Sequence, residues 1–177
     1  MSPIRSHLFN LAQEGGTLRK LIAATIAGLA GLVLAGQPAA QHSQGHMNMQ
    51  GTEAQAVAMV KKGVASIQAF GINKTYAQIN DPEGKFRDRS LYLVVYGLDG
   101  EVLAHGHKPD MVGKNMLGFR DPGGKQVIKE TVKRAETKNK FWIEHKMDNP
   151  MTREVQDMRM YCERLEETVI CSGHFMG

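Results

Sequence analysis

Two apolar runs flank Asp99-Gly100 in the stretch Leu91 to His105, LYLVVYGLDGEVLAH. Asp-Gly between alternating apolar runs signals a hairpin, because a two-residue turn needs positive φ and both residues tolerate it. That turn sets Leu98 opposite Glu101, Val95 opposite Ala104 and Val94 opposite His105. Side chains alternate along a strand. Leu91, Leu93, Val95, Val102 and Ala104 therefore form one apolar face, which predicts a helix against it. Tyr92, Val94, Tyr96, Leu103 and His105 form the other, whose mixture of aromatic, apolar and titratable groups suits a small-molecule pocket.

The other elements follow from period and punctuation. Val57, Val60, Val64 and Ile67 recur at helical spacing and predict a helix from Glu53 to Phe70, stopped at Gly71. A shorter helical stretch is expected from Asn73 through Ile79, then a turn over Asn80 to Gly84. Gly106 to Gly124 reads as a long irregular connection, and loops of that length in a small domain are usually functional. Lys125 to Lys138 predicts a second amphipathic helix with Val127, Ile128, Thr131, Val132 and Ala135 inward. Phe141 to Met147, Val155 to Leu165 and Thr168 to Phe175 complete five strands. The expected class is α+β with a five-stranded antiparallel sheet. A two-residue turn at Glu166-Glu167 sets Arg159 opposite His174, Tyr161 opposite Ser172 and Cys162 opposite Cys171. The cysteine pair is a non-hydrogen-bonded one, with Cα atoms roughly 4.5 Å apart, within disulfide range. The alternative is two reduced thiols packed on the helix-facing side.

Residues 1–40 have the order of a secretory leader: Arg19-Lys20, then the apolar run Leu21 to Gly36, then Gln37-Pro38-Ala39-Ala40. The expected location is periplasmic or secreted, with an uncleaved membrane anchor as the other reading. Residues 41–52 read as a polar linker. Its His42, His46, Met47 and Met49 are donors that suit Cu(I), but nothing around them sets a geometry. The chain has 22 basic and 18 acidic residues. Arg5, Arg19, Lys20 and Glu14 lie within the leader, so the remainder is nearly neutral and has no basic run. Nucleic acid is not an expected partner.

The order helix, NDPEGKF, LYLVVYGLDGEVLAH, DMVGKNMLGFRDPGGK, helix, FWIEHKMDNPMT, MYCERL, VICSGHF resembles the single Cache domain of type 2 along Glu53 to Phe175. The resemblance implies a PAS-like sheet, a long N-terminal helix behind it, and extracytoplasmic sensing of small ligands, often short carboxylates. It implies a domain over 53–177 that binds a small organic acid. Most such domains sit in membrane receptors or kinases with a signalling output, whereas this sequence shows neither a second apolar span nor an output domain. A free-standing binding module is therefore expected, with a membrane receptor or kinase as a further partner. It places the site on the face away from the long helix, under the loop and helix that follow the hairpin. Tyr92, Tyr96 and His105 face that side by the register above. Arg159, Tyr161 and His174 are assigned to it from the last hairpin, Trp142 as a wall and Lys114 as a closing residue. Tyr hydroxyls, His N–H groups and an Arg fork suit a carboxylate. Two other readings stand beside this one. One is an accessory interaction subunit of a membrane sensor or redox complex. The other is a metal-binding protein using His105, His107, Cys171 and His174. There is no phosphate loop, paired-cysteine motif, zinc-protease helix or nucleophile elbow, so neither an enzyme nor a cofactor is expected.

Overall fold

The structure is a computed structural model and describes residues 50–176. The expected leader at 1–40, and all of the expected linker except its end, lie outside the described residues. The chain is already held at that end. The Gly51 N–H donates to Ser90 Oγ, and Thr52 caps the first helix.

Helix α1 spans Glu53–Phe70. Its start is a capping box: Gln55 N–H donates to Thr52 Oγ1 while Gln55 Oε1 accepts from the Thr52 N–H. Gly71 stops it with φ +82, a value that favours glycine, and its N–H closes on the Ile67 carbonyl. Met59, Val60 and Ile67 lie in the buried stripe, with Val57 and Val64 at its margins. Helix α2 follows over Ile72–Asn80, starting directly at Gly71 rather than at an Asn73 cap.

The sheet among the described residues has six strands, not five: β1 Arg87–Asp88, β2 Leu91–Gly97, β3 Val102–His105, β4 Lys140–Asp148, β5 Val155–Leu165 and β6 Thr168–Phe175. The extra strand, β1, is two residues long, too short to leave an alternation in sequence. All pairings are antiparallel, in the order β1-β2-β6-β5-β4, with β3 also on β2. Helix α1 packs on one face, against Leu91, Leu93, Val95, Ala104 and Ile170. Helix α3, Val127–Ala135, packs on the other and buries all five residues expected to point inward.

The first hairpin departs from its expected register near the turn. Its loop has three residues, Leu98-Asp99-Gly100, with Gly100 at φ +84 and Gly97 N–H bonded to the Glu101 carbonyl. Tyr96 therefore pairs with Val102. A bulge at Leu103 then restores Val95 to Ala104 and Val94 to His105. The two irregularities exchange the faces of two residues. Val102 joins the α3 side, and Leu103 packs on the α1 side.

The last hairpin has the expected register throughout, including Cys162 to Cys171. The two cysteines form a disulfide, with Cα atoms 4.2 Å apart. They lie on the α3 side, not the α1 side. Replacing both by alanine is expected to cost roughly 2–3 kcal/mol, since the bridge closes a loop shorter than the 15 residues worth about 3 kcal/mol. Urea unfolding of the double variant checks this, and alkylation without reductant should find no free thiol.

Candidate functional site

A cavity of about 110 Å³ lies between the sheet and the α3 side. Tyr92, Val94 and Tyr96 of β2 and Val102 and His105 of β3 form one end of its wall. His145 and Met147 of β4 and Met158 and Met160 of β5 form the other, and Cys171 lies between. The roof is Val127 and Ile128 of α3 with Met111, Met116 and Phe119 from the long loop. That loop is tied to the β3 edge: Val102 N–H donates to the Lys114 carbonyl, and Gly113 N–H to the Val102 carbonyl. A wider groove beside exposed Phe70 and Ile72 is open to solvent and is lined by Gln68, Asn73, Lys74, Glu166 and Glu167.

His105 is held in one protonation pattern. Its Nδ1 accepts the N–H groups of His107 and Lys108 at 3.2 and 3.0 Å, so the neutral ring carries its proton on Nε2 and offers it as a donor. The backbone N–H of His105 is held by Asn80 Oδ1 at 2.8 Å, and its ring stacks on Tyr92 at 5.2 Å. Burial, then the charges of His107 and Lys108, lower its pKa to about 4. Burial also lowers His145 to about 4, against the opposing pull of the Asp121 carboxylate. Its Nδ1 is buried without a hydrogen-bond partner. Burial pushes the Tyr92 hydroxyl up to about 12, and pushes Tyr96 up as well, with Tyr92 adding to the shift. At neutral pH the wall is therefore uncharged, and exposed Lys108 is the cation at its mouth.

Three of the eight expected ligand contacts line this cavity: Tyr92, Tyr96 and His105. Trp142, Arg159, Tyr161 and His174 lie on the opposite face. Pairing of Val94 with Cys171 turns Cys171 toward the cavity, and alternation then turns Ser172 and its partner Tyr161 toward α1. Arg159 binds Glu53 of α1 at 3.1 Å and lies over the Trp142 ring at 4.7 Å, so its charge is spent on the helix. The Tyr161 hydroxyl donates to Glu163. His174 meets the Trp142 ring edge-on. Lys114 points outward near Asp110. The metal set fails on the same geometry, since Cys171 is in the disulfide and His174 is across the sheet from His105. Sequence reasoning missed Lys108, His145 and the methionines. His145 did leave a signal: it interrupts the apolar alternation Phe141, Ile143, Met147.

The α+β architecture, with a roofed cavity on the α3 face of the sheet, is that of a PAS-like domain of the Cache type. The chain belongs to the family described as single Cache domain 2, whose model matches residues 41–177. A methyl-accepting chemotaxis protein from Vibrio parahaemolyticus RIMD 2210633 shares the fold at TM-score 0.58 and 22% identity, over 69% of this chain and 86% of that one. The periplasmic sensor domain of a chemotaxis protein matches at 0.55 and 18%, over 70% and 90%. A Cache chemosensory domain described for carboxylic acid recognition matches at 0.55 and 16%, over 70% and 88%. No curated protein gives a match. No helix among the described residues is long and apolar enough to cross a membrane.

Proposed function

We propose that this domain binds a short organic acid in the cavity and acts as an extracytoplasmic small-molecule sensing module. The observation that carries the reading is the cavity's β2–β3 end, where two buried tyrosine hydroxyls and the His105 Nε2–H offer donors near the Lys108 ammonium. A carboxylate accepts from all of these. The volume suits an acid of a few carbon atoms, and the aliphatic and thioether walls suit an apolar tail. The related Cache domain described for carboxylic acid recognition supports the same class. Family membership supports the extracytoplasmic setting.

Calorimetry across a panel of short mono- and dicarboxylates should give heat with at least one. Tyr96→Phe should then weaken that acid by roughly 10- to 150-fold, the worth of a hydrogen bond to a charged group at about 1.5–3 kcal/mol. Arg159→Ala should bind it with unchanged affinity, because Arg159 is on the other face. Silence across the panel would overturn the reading.

A further inference from the structure

One residue of the cavity floor has no side chain. Gly173 of β6 pairs with Met160 of β5 and lies one step beyond Ser172, the partner of Leu93. That step sets it beside Tyr92, and both line the cavity. The gap above Gly173 is filled from the neighbouring strand. Met158 of β5 pairs with Phe175, and its side chain leans diagonally across β6 onto the glycine. A Cβ at Gly173 would stand 2.5 Å from Met158 Cε, 3.1 Å from Sδ and 3.2 Å from Cγ. Met158 is 3% exposed and lines the cavity beside that glycine. Methionine is unbranched and polarizable, and it fills irregular gaps that a stiffer side chain would not.

We propose that Met158, seated on Gly173, sets how long an acid the cavity accepts: its thioether is the stop against which the apolar end of a straight-chain monocarboxylate packs. The inference rests on the acid-binding reading and narrows it to this class of acid. The tyrosine and histidine donors and Lys108 hold the carboxylate at the β2–β3 end, so the tail runs along the floor toward β5. In strand order the thioether lies over β6, between those donors and the imidazole of His145 on β4. The tail of a short acid therefore meets sulfur and methyl before it reaches a second polar side chain. Two substitutions move the stop in opposite directions. Met158→Ala removes about three heavy atoms and lengthens the floor. Gly173→Ala lifts the thioether off its seat. Met160 and Phe175 fill the positions on either side, so the displaced side chain turns into the cavity and shortens it.

The test is calorimetry of the purified chain with the straight-chain monocarboxylates from acetate to octanoate. Wild-type affinity should rise by about fourfold per added methylene, the worth of one buried CH₂, and then fall once the tail reaches the thioether. In Met158→Ala the best acid should be longer by about two carbons and bind roughly tenfold tighter than it does to the wild type. Gly173→Ala should weaken the wild type's best acid at least about tenfold. The double variant Gly173→Ala, Met158→Ala should return to the preference of Met158→Ala, because the added methyl then occupies the space the thioether has left. A second reading needs no variant. With methyl-labelled methionine in the wild type, the bound acid should shift the Met158 signal and leave Met59, which packs under α1, unmoved. Three results overturn the inference and leave acid binding standing: a Met158→Ala protein with the wild-type preference for length, a Met158 signal that ignores the bound acid, or heat from dicarboxylates alone. Silence of the wild type toward every mono- and dicarboxylate removes the acid-binding reading and this inference together.

Discussion

Acidifying the domain from about pH 7.5 to about pH 4.5 is expected to remove several kcal/mol of stability, and to lower the melting temperature by roughly 10 °C or more. The groups responsible are His105 and His145, both held neutral by burial with folded pKa values of about 4. An unfolded histidine titrates near 6.5. Between those values the unfolded chain binds more protons than the folded one, so stability rises with pH across the window. The contribution is complete above roughly pH 6.5 and is lost as pH falls toward 4, on the order of 2–3 kcal/mol per histidine. Urea or thermal melts at several pH values measure it. His145→Phe should flatten the profile by its own share. A melting temperature that stays level from pH 7.5 to 4.5 would contradict the placement of these rings. The same window should govern ligand binding, because protonating His105 displaces the backbone donors from its Nδ1.

The second large effect is expected at Asp121. This buried carboxylate sits in the Asp-Pro-Gly-Gly turn ahead of α3 and joins it to the sheet. Oδ1 accepts the Lys125 N–H at 2.7 Å, and Oδ2 accepts the Lys146 N–H on β4 at 2.7 Å. Burial raises its pKa, but the N–H groups of Lys146, Lys125 and Gly123 outweigh burial and leave the carboxyl below its ordinary value. Asp121→Ala would strand two backbone donors, each worth roughly 1.5–3 kcal/mol as a partner of a charged group, so a loss of roughly 3–5 kcal/mol is expected. Asp121→Asn keeps one good acceptor and should lose about half of that. Because the folded pKa is depressed, the ionised carboxylate's contribution is present above roughly pH 4 and disappears as pH falls below it. Urea unfolding of both variants at neutral pH checks the order. An Asp121→Ala protein as stable as wild type would show that the turn is not tied down by this residue.

Much of the fold was readable from local pattern. Helix α1 ends where a capping box and a positive-φ glycine put its ends, and both signals lie within a few residues of the boundary. The strands of the last hairpin have the expected bounds and register, because their turn is two residues long and nothing interrupts the pairing. The disulfide followed from that register. The first hairpin was harder. A three-residue loop and a bulge cancel at Val95 and Ala104, so the outer register matched while Val102 and Leu103 exchanged faces. Alternation along a strand carries no mark of a bulge whose flanking residues are all apolar.

Within each hairpin, the residue pattern determined which side chains share a face: Tyr92 with Tyr96, and Arg159 with Tyr161 and His174. It did not determine whether those two faces are the same face of the sheet. That depends on β2 pairing with β6, where Val94 meets Cys171. No turn joins these strands, so no local signal sets their register. The choice was made by packing. The disulfide, Met160, Ile143 and Phe141 are apolar and close the core under α3, while Arg159 finds Glu53 at the start of α1. Burying the guanidinium under α3 would have left it without a carboxylate, and an unpaired buried charge is costly. The tertiary structure therefore moved the arginine out of the cavity and brought His145 and the methionines in.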